Sequence, residues 1–167
     1  YDLSPLPWFD FYLKELPNKV EEIPPVMYYV MGPFDGSQSS GNLWRTSKVW
    51  PVPHQDVSFY LTEEKTLVEK LPETKGGTLS YSHNANDPVP TLGGRNLFLE
   101  SGPVDQGPIE KRKDVLVFTS EPLKEDIEVT GRLFAKLYFS ADADISDICV
   151  RLTDVYPDGK SLLIADN

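Results

Sequence analysis

A mainly β domain, a jelly-roll sandwich preceded by one helix, is the fold class this sequence predicts. Three observations predict it. Helical periodicity is clear only over residues 5–16, and the period changes to two after Pro24-Pro25. Short apolar runs then recur to the end of the chain, most of them bounded by Gly, Pro, Asn or Asp. The 167 residues, 40% hydrophobic and 11% aromatic, are enough for one domain with a real core and too apolar for wholesale disorder.

The elements follow in order. Over residues 5–16, Trp8, Phe9, Phe11, Tyr12, Leu13 and Leu16 crowd one side, with Asp10, Lys14 and Glu15 opposite. That aromatic face is too large for a lone surface helix and is expected to dock on something; Pro17 stops the helix. A polar hinge over residues 18–22 leads to Pro24-Pro25, which sets an extended entry. Residues 26–31 are nearly all apolar and are expected to form a buried strand. Residues 35–42 are Gly/Ser-rich and read as a turn. A Trp-bearing segment over residues 45–52 ends at Pro51 and Pro53. Short strands are expected over 57–61, 67–71, 78–82 and 114–119. Residues 127–140 alternate, with Leu133, Ala135, Leu137 and Phe139 on one face and Phe134, Lys136 and Tyr138 on the other; Gly131 suggests a bulge or kink. Residues 148–156 and 161–165 form a hairpin through Pro157-Asp158-Gly159. No repeat or low-complexity tract interrupts the chain.

Asp87-Pro-Val-Pro-Thr-Leu-Gly-Gly-Arg95 and Gly102-Pro-Val-Asp-Gln-Gly-Pro108 demand particular backbone paths. Pro88 and Pro90 fix φ and remove two donors, while Gly93 and Gly94 permit conformations closed to other residues. Such rigid connections serve either as structural Ω-type loops or as presented surfaces.

A formal net charge of −10 opposes nucleic acid, and likewise an anionic membrane, as partners. No apolar run approaches the length of a membrane span, and no signal peptide is visible. Cys149 is the one cysteine; it reads as a small buried hydrophobe in Ile148-Cys149-Val150. No Gly-x-Ser-x-Gly elbow is present; Gly159-Lys160-Ser161 lacks the closing Gly, and a phosphate loop ending there fails because Asp154 stands where Gly is needed. His54 and His83 read as loop or strand-end residues rather than bases. Asp142, Asp144 and Asp147 have carboxylates that could face Ca²⁺ but lack an EF-hand pattern, and a zinc site needs more Cys or His. Asp56, Glu63, Glu64 and Glu69 give no decisive carboxylate pair. Trp44 and Trp50 are expected in the sandwich, with sugar stacking as the alternative. The residues therefore present no catalytic constellation, no cofactor site and no metal site.

A set of phrases in this order resembles one family. They are Trp8-Phe-Asp-Phe-Tyr-Leu-Lys14, Pro24-Pro-Val26 through Val30-Met-Gly32, Leu43-Trp-Arg45, Asp87-Pro-Val-Pro-Thr-Leu-Gly-Gly94, Gly102-Pro-Val-Asp-Gln106, Asp114-Val-Leu-Val-Phe-Thr-Ser120, Glu128-Val-Thr-Gly131 and Asp154-Val-Tyr-Pro-Asp-Gly159. Together they resemble the C-terminal part of the X-Pro dipeptidyl-peptidase and cocaine esterase-like (CocE/NonD) serine hydrolases. The resemblance implies a Ser-Asp-His triad carried by an α/β-hydrolase domain upstream of Tyr1. Residues 1–22 would be the last helix and linker of that domain, and residues 23–167 a C-terminal jelly roll of galactose-binding type, incomplete at its end because family members usually continue past Asn167. It implies a parent serine hydrolase acting on ester or amide bonds, X-Pro dipeptidyl bonds included. The partners implied are the catalytic domain of the same parent and a small ester or peptide substrate. The sandwich is expected to pack on the catalytic domain, with Leu97 and Phe98 as apolar wall residues of the acyl pocket or, equally, as sandwich core. The competing functions are a carbohydrate-binding module and a structural or homo-oligomer-forming domain with open strand edges. The compartment is left open, with the cytoplasm favoured.

Overall fold

The computed structural model describes residues 4–33, 37, 39–73 and 76–166. The chain divides into two compact units, one of residues 1–56 with 123–133 and the other of residues 57–122 with 134–167.

The first unit opens with α1, Pro5–Lys14. Pro5 suits the first turn, where its missing N–H has no partner to lose. The helix ends before Pro17: Glu15 turns left-handed (φ 56) and the Leu16 N–H returns to the Asp10 carbonyl at 3.0 Å. Asn18 then fixes the exit, its side-chain amide donating to the Pro7 carbonyl at 2.8 Å and its oxygen accepting the Val20 N–H at 3.0 Å. That capture leads into the 3-10 turn Val20–Glu22, where Val20 is buried. The aromatic face is real: Trp8 stacks on Tyr12 at 5.5 Å, and Phe11 meets Tyr12 edge-on at 5.0 Å. Within this unit Leu6, Trp8, Phe9, Tyr12 and Leu13 remain exposed.

β1, Val26–Val30, pairs antiparallel with β2, Leu43–Ser47, in the register Tyr28↔Arg45 and Tyr29↔Trp44. β1 ends one residue earlier than its apolar run and is half-buried rather than buried, since a two-stranded ribbon covers little of either face. The turn expected over residues 35–42 lies partly outside the described residues, among them positions 35, 36 and 38. Arg45 reaches across the unit to Glu128 Oε2 at 3.0 Å and to the Ser40 carbonyl at 3.1 Å, which attaches residues 123–133 to this ribbon. The peptide bond Trp50–Pro51 is cis, and Val52 behind it is buried.

In the second unit β3, Tyr60–Leu61, and β4, Thr66–Val68, are antiparallel, and β4 runs parallel to β5, Thr119–Ser120. The β3–β4 turn is held by the paired hydroxyls of Thr62 and Thr66 at 2.8 Å. A short helix α2, Gly107–Glu110, precedes β5. β6, Arg151–Val155, and β7, Ser161–Asp166, form the expected hairpin, with a register shift between Leu152 and Thr153. Its turn is closed by the Tyr156 N–H on the Lys160 carbonyl and by Asp158 Oδ1 accepting the Lys160 N–H. The core of this unit is Ile109 from α2 and Leu163 from β7, flanked by buried Gln106 and Ser161.

The protein is thus mainly β with few helices, its described strands forming three small sheets. Several expected strands are shorter or absent: β3 covers only the end of 57–61, and β4 stops at Val68 rather than 71. Residues 78–82 form none, and residues 114–118 are half-buried chain leading into β5. Residues 127–140 form none either: the run divides between the two units after Leu133, and Gly131 sits at φ 110. Alternation assigns faces to a segment, but a ladder also needs a partner edge. Among the described residues no helix is long and apolar enough to cross a membrane.

Candidate functional site

The two Gly/Pro loops meet as one structure. Gly94 and Gly102 exchange both backbone hydrogen bonds, Gly94 N–H to Gly102 O at 2.8 Å and Gly102 N–H to Gly94 O at 2.9 Å. Residues 95–101 are thereby closed into a loop with a narrow neck. Glycine is required there: Gly93 and Gly94 both have φ 72, and a Cβ at Gly93 would lie 2.5 Å from the Gly102 carbonyl oxygen. Asn96 braces the inner side by donating to the Gly93 carbonyl.

The next rung below the neck is made by a side chain. Gln106 is 1% exposed, and its Nε2 donates to the Leu92 and Val104 carbonyls, both at 3.0 Å. These partners precede Gly94 by two residues and follow Gly102 by two. Both are acceptors, so the amide nitrogen must face them. The amide oxygen is buried with no hydrogen-bond partner among the described residues, a desolvation cost of about 1–3 kcal/mol.

The rung is fastened to β7. The Gln106 N–H reaches the Ser161 carbonyl at 2.7 Å, and the Leu163 N–H reaches the Val104 carbonyl at 3.2 Å. Asp105 Oδ1 accepts the Ser161 N–H at 2.9 Å and the Gly107 N–H at 3.0 Å. Those bonds, Ser161 first, hold the Asp105 carboxyl below its ordinary range. The buried Ser161 hydroxyl donates to Glu110 Oε1 at 2.6 Å, so this serine is committed to structure.

The first loop is gripped at its start. Arg112 binds Asp114 through two bonds of 2.8 Å and reaches the Asp87 carbonyl at 2.6 Å and Asp87 Oδ1 at 3.2 Å. The hydrogen bonds to Asp114 and then Asp87 push the guanidinium further up, and the same Arg112 contacts pull the Asp114 carboxyl down. Arg151 adds a 3.4 Å contact to the Pro90 carbonyl.

What this frame presents is apolar. Leu97 is 89% and Phe98 96% exposed, with Leu99 exposed beside them. The residues singled out as a substrate wall therefore stand at the tip of the loop, and the sandwich-core alternative for them does not hold within their unit.

Other candidates fall elsewhere. His54 is held by the Val52 carbonyl at 2.6 Å and faces Asp56 at 3.4 Å. His83 is exposed, as are Asp142, Asp144 and Asp147, and no group of three metal-ligating side chains occurs among the described residues. Cys149 is exposed rather than buried, because its half-buried neighbours Ile148 and Val150 take the inner side of the alternation. Trp44 and Trp50, expected in the sandwich, are 61% and 55% exposed; each meets a tyrosine edge-on, Tyr29 at 5.6 Å and Tyr28 at 6.2 Å. Sequence reasoning marked the Asp105-Gln106 loop for its prolines and glycines, but not the burial of Gln106 or the reach of Arg112, both of which depend on distant chain.

Comparison with known proteins identifies the family of the chain. Residues 18–166 match the family model described as the X-Pro dipeptidyl-peptidase C-terminal non-catalytic domain. The cocaine esterase of Rhodococcus sp. (strain MB1 Bresler) is 35% identical over 95% of this chain and 28% of its own length. A Mycobacterium bovis protein named "Putative serine esterase" is 26% identical over 99% of this chain and 26% of its own length. The chain spans just over a quarter of the length of these curated relatives. No solved structure matches it. With nearly all of its length inside that family model, the chain belongs to the X-Pro dipeptidyl-peptidase C-terminal non-catalytic domain family.

Proposed function

We propose that this chain is the non-catalytic C-terminal β-domain of a serine hydrolase that cleaves ester or amide acyl bonds, X-Pro dipeptidyl bonds included. Residues 1–22 are the last helix and linker of the catalytic α/β-hydrolase domain. Residues 23–167 are a jelly-roll sandwich of galactose-binding type that packs on it. Leu97 and Phe98 form one wall of the acyl pocket and take no part in the chemistry. One observation carries this reading: Phe98 is 96% exposed at the tip of a loop whose neck is closed by paired backbone hydrogen bonds. Exposed large apolar side chains grouped at the tip of a closed loop, here Leu97, Phe98 and Leu99, mark a surface suited to contact. The exposed apolar face of α1 gives the same indication. The names of the relatives, a cocaine esterase and a serine esterase, support a hydrolase as the parent.

Two experiments test it. The isolated 167-residue chain is expected to resist labelling by a fluorophosphonate probe; labelling lost on mutating one of its serines overturns the reading. In the full-length parent, Phe98→Ala is expected to change preference among acyl groups while leaving the melting temperature nearly unaltered. A fall in melting temperature with no change in preference removes the wall role.

A second reading is favoured by the exposure of Trp44 and Trp50, since exposed indoles can stack on sugar rings. Calorimetric titration with oligosaccharides decides it: binding that disappears in Trp50→Ala supports a carbohydrate module, and no binding eliminates one.

A further inference from the structure

We propose that Gln106, backed by Asp105, is a positioning residue for the apolar tip, so that acyl-group selection by the parent hydrolase depends on a buried amide that never meets substrate. This rests on the reading of Leu97 and Phe98 as a pocket wall. The geometry points to it through the order of the rungs. Gly94 and Gly102 pair through backbone alone, and two residues further from the tip the Gln106 amide bridges the chain segments, holding Leu92 on one side and Val104 on the other. Without that bridge the neck has one rung, and the loop is free to swing about it. The same residue refers the neck to β7, because its own N–H binds the Ser161 carbonyl while Asp105 binds the Ser161 N–H. The tip is therefore placed relative to the hairpin rather than to its own loop. Displacing an apolar wall by a fraction of a side chain changes selection between acyl groups that differ in size.

The test is made in the full-length parent with Gln106→Glu. This change keeps the shape but turns a carboxylate toward two carbonyl oxygens and removes both donors. Burial and the facing carbonyls make the introduced carboxyl take up a proton more readily than an ordinary one, and its protonated form donates one hydrogen bond back. The ratio of KM values for bulky and small acyl substrates is expected to move by about tenfold at pH 8 and to return toward the parent value as pH falls. Gln106→Met, which has no donor and no charge, is expected to show the altered ratio at every pH, and it carries the comparison if the first variant does not fold. Phe98→Ala separates the two ideas. If Phe98→Ala moves the ratio and neither Gln106 variant does, the positioning role is overturned and the wall stands. If Phe98→Ala leaves the ratio alone, the wall reading fails and the positioning role goes with it.

Discussion

Asp105 and Ser161 lie 56 positions apart in the chain, yet Asp105 Oδ1 accepts the Ser161 backbone N–H at 2.9 Å. The same oxygen holds the Gly107 N–H at 3.0 Å, so one carboxylate fastens the start of α2 to the start of β7. Joining segments so far apart costs little more than closing a shorter loop, because closure entropy grows only with the logarithm of loop length. The residue next to Asp105, Gln106, carries this fastening on to the neck of the 95–101 loop through its bonds to the Leu92 and Val104 carbonyls.

The first prediction concerns pH. The Asp105 carboxyl is held low by the Ser161 N–H and then the Gly107 N–H. In the unfolded chain its value is about 3.9. A depressed folded value contributes stability that is fully present above about pH 4 and is lost as pH falls through the folded value. Asp105→Asn keeps an oxygen for both donors but no charge. It is expected to lose about 1 kcal/mol at pH 7, a charged hydrogen bond discounted for partial exposure. Urea midpoints measured from pH 7 to pH 2 should then fall less steeply than in the parent; parallel curves refute the assignment.

The second contrasts two apolar side chains in one unit. Ile109 is 2% exposed, so Ile109→Ala should cost about 2–5 kcal/mol. Leu97 is 89% exposed in the isolated chain, so Leu97→Ala should stay within about 0.5 kcal/mol. Denaturant midpoints at unchanged slope measure both, and a large cost for Leu97→Ala would place that residue in a core.

The third separates conformation from crowding at glycines. Gly159 has φ 87 with nothing near its absent Cβ, so Gly159→Ala bears only the left-handed backbone cost of about 1 kcal/mol. Gly93 has φ 72, and a Cβ there would sit 2.5 Å from the Gly102 oxygen that accepts the Gly94 N–H. Gly93→Ala should cost more, about 2–3 kcal/mol, and should speed amide exchange at Gly94 and Gly102. Equal costs for the two glycines would mean the neck can shift freely.

Local signals made part of this fold legible. The periodic aromatic run ending at Pro17 marked α1, and Pro157-Asp158-Gly159 marked the β6–β7 hairpin, because each depends on residues within a turn or two. The strand expected over residues 127–140 did not form, since nothing in its alternation says which edge it pairs with or that the run divides between two units after Leu133. The site was half legible for the same reason. Prolines and glycines announced two rigid loops. That they close on each other at Gly94 and Gly102, and that Gln106 supplies the second rung, follows from contacts no sequence window contains.

The last prediction concerns Arg112, the long-range clamp on the first loop. Its guanidinium meets both Asp114 oxygens at 2.8 Å while still reaching the Asp87 carbonyl at 2.6 Å. A planar fork can serve those acceptors together, whereas the single ammonium of lysine cannot span them. Arg112→Lys keeps the charge but should release the start of the loop. Amide exchange over residues 87–92 should quicken, and the Asp114 carboxyl, now held down chiefly by the Arg112 hydrogen bonds, should move back up toward its ordinary value in an NMR titration. If charge alone mattered, Arg112→Lys would leave both readouts unmoved and only Arg112→Gln would shift them.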